Sequence, residues 1–126
     1  MDFVAVTESF DTGRLLPFIP PSAPTDVGTW QKRTKAWKRH AGTDPTTFDR
    51  WQALMGFVDV RNALQHGLGR LTDQQLRHRE QLLGQVQAAG VNLNGDRLTV
   101  TQVDAERCYR TCTDYIRFLD ALCPSA

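Results

Sequence analysis

Apolar residues recur every three or four positions along four stretches of this 126-residue chain, a spacing that predicts four amphipathic helices. The predicted helices cover residues 26–40, 48–65, 72–89 and 102–122. Glycines follow the first three at positions 42, 67 and 90, where a helix can end in the left-handed conformation. We expect Thr46 or Thr47 to cap the second helix, and Thr72 and Gln75 to form a capping box at the start of the third.

The hydrophobic period changes between the third and fourth predicted helices. Over residues 91–100 valines and leucines flank Asn94-Gly95, a dipeptide typical of two-residue β-hairpin loops. We therefore predict an all-α fold, namely a compact bundle of four to five helices with a small β-hairpin near residues 91–100.

Prolines are concentrated near the start of the chain, where positions 17, 20, 21 and 24 lie within eight residues. Proline fixes φ, removes an amide donor and disfavours helix at the preceding residue, so we expect an extended connector here. The chain is accordingly divided into a proline-rich N-terminal arm, residues 1–28, and a helical domain, residues 29–126. The arm either packs on the domain through its apolar residues or serves a partner, and the sequence leaves both possibilities open.

The sequence contains no apolar run long enough to cross a membrane, and its net charge is only +1. The longest run, residues 53–58, is interrupted by glycine and falls far short of the roughly 20 residues that a spanning helix needs. Acidic Asp2, Glu8 and Asp11 stand where a signal peptide would carry basic residues. We therefore expect a cytoplasmic protein without a membrane partner.

Basic residues are concentrated in the middle of the chain, because residues 29–82 contain ten Lys and Arg against five Asp and Glu. Five of these bases lie close together between residues 30 and 40, and they are Lys32, Arg33, Lys35, Lys38 and Arg39. Such a cluster can bind phosphate by long-range attraction and counterion release, and it can equally be a solvated helix face. The candidate RNA contacts are Lys32, Lys35, Lys38, Arg39 and, farther along the chain, Arg70.

No metal site and no cofactor are expected. Cys108, Cys112 and Cys123 form neither a CxxC pair nor a set with matching histidines, so we interpret them as small apolar residues. His40 and His78 stand among bases, which repel cations, and we expect both at the surface.

The residues with the clearest chemical potential lie near the end of the second predicted helix. Arg61 follows Leu54 by seven residues and Val58 by three, so it continues the apolar stripe and needs a partner for its permanent charge. His66 comes five residues later, about 140° around a regular helix, so the two side chains diverge unless the chain turns. The glycines after His66 would permit a turn that brings the imidazole back toward Arg61 or toward the arginine of a second subunit.

The motif Arg61-Asn62-x-x-x-His66 resembles the signature of the HEPN superfamily, in which an arginine, often followed by a polar residue, precedes a histidine by a few positions. Together with the surrounding helices and hairpin, residues 29–122 are similar to the bacterial branch often labelled RiboL-PSP. The resemblance implies a helical bundle that dimerises by facing its motif helices and acts as a metal-independent endoribonuclease. Arg61 and His66 match the paired positions, Asn62 matches the polar position, and Asp59 loosely matches an acidic position before the motif.

In the implied reaction the ribose 2′-hydroxyl attacks the adjacent phosphorus, which requires a proton to be moved and negative charge to be stabilised. His66 would transfer the proton, Arg61 would hold the phosphoryl oxygens, and Asn62 would orient the phosphate or His66. One chain supplies one histidine at the motif, so a homodimer with a composite site would provide both base and acid. The expected products are a 2′,3′-cyclic phosphate and a 5′-hydroxyl. The biological role would be that of a toxin or defence effector, held in check by an antitoxin or another regulatory protein.

Three other interpretations remain open at this point. The motif surface can be a non-catalytic module for dimerisation or partner binding. The basic stretch from Lys32 to Arg39 can bind nucleic acid by itself, with a steep salt dependence that survives the loss of His66. Arg61 can be purely structural, bonded to Asp59, Asp49 or carbonyls at the helix end.

Overall fold

A computed structural model of the protein describes residues 2–22 and 25–123, and within them six α-helices and one antiparallel hairpin form most of the regular structure. The helices are α1 (Phe3–Leu15), α2 (Trp30–Ala36), α3 (Trp51–Gly67), α4 (Asp73–Arg77), α5 (Arg79–Ala89) and α6 (Gln102–Leu122). The strands are β1 (Asn92–Asn94) and β2 (Arg97–Thr99). The prediction of an all-α fold with a small hairpin is therefore confirmed.

The chain divides into two compact units. One contains the described residues up to Asp49 and those from Thr113 onward, and the other is Arg50–Cys112. In the first unit Tyr115 of α6 is fully buried, and its ring packs edge-on against Trp30 and Phe48 with centroids 5.8 and 5.5 Å away. Aromatic pairs at these separations add specific attraction to the burial of apolar surface, so they fix the core of this unit.

In the second unit α3 packs along α5, and the helices come closest at Gly56. A Cβ atom at this position would lie 2.1 Å from the Gln85 carbonyl oxygen, so only glycine permits the approach. After α3 the chain joins the hairpin, because the amide of Leu98 donates to Gly69 O at 2.8 Å and that of Leu71 to Asp96 O at 2.7 Å.

Two of the three predicted glycines, Gly42 and Gly90, end helices in the left-handed conformation, whereas Gly67 lies within α3 and Leu68 caps that helix. The predicted threonine cap is not found. Gly42 ends a π-helical turn (Trp37–Ala41) that continues α2, with φ 63 in the left-handed region. Thr46 and Thr47 lie in a short 3-10 turn headed by Asp44, whose carboxylate accepts from the Thr46 amide at 3.0 Å. The prediction that one of them caps the next helix is wrong, because α3 begins later, after Arg50, without a side-chain cap.

The third predicted helix is divided at His78, which separates α4 from α5 with φ −119 and ψ 38. Its predicted capping box is confirmed: Thr72 Oγ1 accepts from the Gln75 amide at 3.2 Å, and Gln75 Oε1 accepts from the Thr72 amide at 2.9 Å. Gly90, at φ 76, ends α5 as expected.

The hairpin pairs Asn92 with Thr99 and Asn94 with Arg97, which leaves a two-residue loop of Gly95 and Asp96. The loop therefore lies one residue later than the Asn94-Gly95 dipeptide suggested. Gly95 has φ 65, a conformation that glycine adopts without steric cost, so it serves as the first loop residue.

Residues assigned by sequence to the N-terminal arm include a helix that the hydrophobic pattern did not predict. In α1, Asp2 caps the start by accepting from the Ala5 amide at 3.0 Å, and Val4 and Leu15 are buried. Pro17 lies in a 3-10 turn, Leu16–Phe18, rather than in extended chain. Pro24, which completes the predicted connector, lies outside the described residues.

None of the helices found in residues 2–22 and 25–123 is both long and apolar enough to cross a bilayer.

Candidate active site

A polar pocket of about 370 Å³ lies in the second unit, beside the helix that carries the motif. Asp59, Asn62 and His66 line it from α3, at spacings of three and four residues that place them on one face of the helix. The remaining lining residues come from the α4–α5 region, and they are Thr72, Gln74, Gln75, His78, Gln81, Leu82 and Gln85. The pocket thus collects carboxyl, amide and imidazole groups.

Asn62 connects Arg61 to this pocket. The guanidinium Nε of Arg61 donates to Asn62 Oδ1 at 3.0 Å, and Asn62 itself lines the pocket with His66. Arg61 is half-buried, in agreement with its position on the apolar stripe. The structure therefore brings Asn62 and His66 into one cavity and holds Arg61 beside Asn62.

The predicted turn at His66 does not occur. The helix α3 continues through Gly67, and the chain reverses at Leu68 and Gly69, with φ values of 53 and 94. Since α3 is unbroken from Arg61 to His66, their side chains leave the helix axis about 140° apart. No backbone turn returns the imidazole to the arginine within this part of one chain.

Asp59 has the most strongly perturbed carboxyl group of the pocket. Burial raises the pKa of Asp59 from 3.8 to about 7, and its Oδ2 has no hydrogen-bond partner among the described residues. The backbone carbonyl of Asp59 accepts from Gln75 Nε2 at 2.8 Å, which ties α3 to α4 beside the pocket. A carboxyl group with a pKa of about 7 can either accept or donate a proton near neutral pH.

His78 also lines the pocket. It lies between α4 and α5, and it lines the same cavity as His66 of α3. It is exposed, as expected, and the motif analysis assigned it no role. His40 is half-buried in the first unit, where its Nε2 lies 3.2 Å from Thr25 Oγ1. The two histidines that the sequence grouped as surface residues thus have different surroundings.

The candidate RNA contacts fall in both units. Lys32, Lys35, Lys38 and Arg39 are exposed in the first unit, where Lys32 pairs with Asp26 and Lys38 with Asp44. Arg70 belongs to the second unit and lies 3.4 Å from Asp96.

The fifth base of the cluster, Arg33, is turned inward. It is only 3% exposed, lies 3.5 Å from Asp11 and 3.7 Å from Glu8, and stacks over Trp30 at 4.6 Å. Four bases of the cluster, not five, therefore face solvent.

The three cysteines are not joined by a disulfide; Cys112 is buried, and Cys108 and Cys123 are half-buried. Over the described ranges, no three His, Cys, Asp or Glu side chains lie close enough together to hold a metal ion.

The sequence analysis did not place His78 in the site and matched Asp59 to it only loosely. Their helical spacing contains a signal for both. His78, Gln81, Leu82 and Gln85 follow one another at intervals of three, one and three residues, which places them on one face of a helix. Asp59 shares the face of Asn62 and His66 in the same way. That these two faces border one cavity is a tertiary fact, and no local pattern encodes it.

Comparisons with protein-family models, with curated proteins and with solved structures found no significant match to this chain, so the HEPN resemblance rests on the motif and the order of the elements.

Proposed function

We propose that this chain is a metal-independent endoribonuclease of the HEPN type that cleaves RNA by attack of the ribose 2′-hydroxyl. The observation that carries the proposal is the position of Asn62, which accepts a hydrogen bond from Arg61 and lines the same pocket as His66. Two of the three motif residues, Asn62 and His66, thereby share one cavity, and the third, Arg61, is bonded to Asn62.

Each motif residue has a task in this reaction. His66 removes the proton from the 2′-oxygen, which then forms a bond to phosphorus. Arg61, whose charge is permanent, stabilises the negative charge that develops on the phosphoryl oxygens. Asn62 positions the guanidinium, and its amide nitrogen is available to the phosphate. The reaction needs no metal because RNA supplies its own nucleophile.

A homodimer that faces its motif helices belongs to the same proposal. Leu64 and Leu68, which flank His66 in sequence, are 46% and 89% exposed, so each chain offers apolar surface beside the motif. In such a dimer a second Arg61 and His66 would approach the first pair. An antitoxin or other regulatory protein that covers the site, in the cytoplasm where the RNA substrate is found, would suit a toxin or defence effector.

The exposed bases provide a second point of contact with RNA. Lys32, Lys35, Lys38 and Arg39 in the first unit and, separately, Arg70 in the second unit would bind phosphates of the substrate, independently of its sequence. Replacing two of them, Lys35 and Arg39, with glutamine should weaken binding and reduce its salt dependence without abolishing cleavage of bound RNA.

The direct test is cleavage of end-labelled RNA by the purified chain in EDTA. Wild type should release fragments with 2′,3′-cyclic phosphate and 5′-hydroxyl ends, and His66→Ala should slow cleavage by about 10²-fold or more. His40→Ala is the matched control, because it removes a histidine outside the pocket and should cleave at the wild-type rate. Identical traces for wild type and His66→Ala would refute the proposal.

A non-catalytic interaction module is the second candidate, and one observation favours it. Leu68 is a non-glycine residue with φ 53, and it is also the most exposed of the large apolar side chains described. A left-handed leucine costs roughly 1–2 kcal/mol, and a large apolar side chain held at the surface suits a residue that anchors a partner. RNA or protein binding without any cleavage, weakened by Leu68→Gly, would support this candidate.

A further inference from the structure

We infer that His78 is a further proton-transfer residue of this pocket and serves as the acid in RNA cleavage. The inference rests on the proposed ribonuclease function.

The geometry that supports it is the arrangement of two helical faces around one cavity. His66 lines the pocket from α3, and His78 lines it from the break between α4 and α5. His78 directly precedes α5; its carbonyl accepts from the Leu82 amide at 3.0 Å, while its own amide donates to Gln75 O at 3.1 Å. Both backbone groups of His78 are thus held by hydrogen bonds, which fixes the point at which its side chain leaves the chain.

The groups around His78 are suited to proton transfer. Asp59 and His66 are the other titratable side chains that line the pocket. Among the sequence neighbours of His78, Arg79 is directed to the hairpin, where its guanidinium donates to Gly95 O at 2.9 Å, and Arg77 is exposed. An imidazole between polar side chains, open to solvent, can exchange its proton between turnovers.

The chemical step balances with these two residues alone. Neutral His66 takes the proton from the 2′-hydroxyl as the 2′-oxygen forms its bond to phosphorus. Protonated His78 gives its proton to the 5′-oxygen as the bond from phosphorus to that oxygen breaks. The products are the 2′,3′-cyclic phosphate and the 5′-hydroxyl, and proton exchange with water restores both imidazoles.

The test compares His78→Asn with His66→Ala on two substrates, ordinary RNA and RNA with sulfur in place of the 5′-bridging oxygen at one cleavage site. Asparagine fits the backbone conformation at a helix break, so the variant should fold, which circular dichroism verifies. On ordinary RNA, His78→Asn should lower kcat by about 10²–10⁴-fold with little change in KM. A thiolate leaves without protonation, so the sulfur substrate should restore His78→Asn to near the wild-type rate but should not restore His66→Ala.

The outcomes separate the inference from the function on which it depends. If His66→Ala is inactive while His78→Asn cleaves ordinary RNA at the wild-type rate, the chain is a ribonuclease and the role of His78 is refuted. If His78→Asn is slow on both substrates, His78 is not the acid. If wild type cleaves neither substrate, the proposed function fails together with the inference.

Discussion

The side-chain amide of Gln75 donates to the backbone carbonyl of Asp59 at 2.8 Å while its oxygen accepts from the Thr72 amide. One residue therefore completes the capping box of α4 and ties that helix to α3. The tie is made at Asp59, whose carboxyl lines the candidate active site. The start of α4 and the shape of the pocket consequently depend on the same side chain.

Replacing Gln75 should destabilise the second unit more than its position near the protein surface suggests. Gln75→Ala removes both hydrogen bonds of the side chain, and we expect a loss of about 1–3 kcal/mol in the free energy of unfolding, measured by urea denaturation. Gln74→Ala is the matched control, an exposed neighbour that should change stability by less than about 0.5 kcal/mol. An equal change in the free energy of unfolding for the two substitutions would show that the hydrogen bonds of the Gln75 side chain, including the one to Asp59, add no stability.

A second prediction concerns the close approach of α3 and α5. In Gly56→Ala the new methyl group would lie 2.1 Å from Gln85 O and 2.8 Å from Ala89 Cβ, so the helices must separate, at a cost of about 1–3 kcal/mol or more. Gly84→Ala in α5 is the control, because nothing lies within 4 Å of its new methyl group. It should stabilise the protein by about 0.5–1 kcal/mol, since alanine favours helix. Thermal unfolding of both variants tests this prediction. A Gly56→Ala variant as stable as wild type would contradict the close contact between α3 and α5.

The features that sequence predicted well are those encoded within a few residues. The capping box needs only Thr72 and Gln75, and the end of α5 needs only a glycine that tolerates positive φ, so both could be predicted without knowledge of the fold. The position of α6 follows in the same way from a long apolar stripe.

The features that sequence missed depend on contacts between distant residues. Arg33 was grouped with the exposed bases, yet it is buried because Asp11, 22 positions earlier, provides its counter-charge. The prolines predicted an extended arm, and the helix α1 was not predicted. Its buried face contains polar Thr7 and Asp11 as well as Val4 and Leu15, so it has no regular apolar stripe. The position of His78 in the pocket was missed for a similar reason, because the α3 residues that line the pocket with it are more than ten positions away in sequence.

The buried ion pair of the first unit provides a third prediction. Asp11 is 1% exposed, accepts from Trp37 Nε1 at 2.5 Å and lies 3.5 Å from Arg33 Nε. Asp11→Ala leaves the buried guanidinium without this counter-charge and should cost about 3–5 kcal/mol of stability. Asp120→Ala breaks only the solvent-exposed pair with Arg14 and should cost less than about 1 kcal/mol. Urea denaturation should rank the two clearly, and a similar small effect for both would contradict the role of Asp11.

The pKa of Asp59 makes a prediction about pH and stability. Burial raises the pKa of Asp59 from 3.8 to about 7, so between these values the folded protein holds a proton that the unfolded chain has released. The contribution of Asp59 to the free energy of unfolding therefore falls as the pH rises from about 4 to about 7. Asp59→Asn has no ionisable group at position 59, so its free energy of unfolding should rise relative to that of wild type as the pH increases over this range. The expected gain is on the order of 2 kcal/mol after allowance for the partial solvent exposure of Asp59.

Urea denaturation of wild type and Asp59→Asn at a series of pH values from 3.5 to about 8.5 measures this difference directly. At pH 3.5 Asp59 is protonated in the folded protein and mostly protonated in the unfolded chain, so the difference should change least with pH at the low-pH end, which serves as an internal control. His66 and His78 line the same pocket, so the comparison is repeated in the His66→Ala and His78→Asn backgrounds. A difference between wild type and Asp59→Asn that does not grow with pH in any background would mean that Asp59 ionises freely in the folded protein.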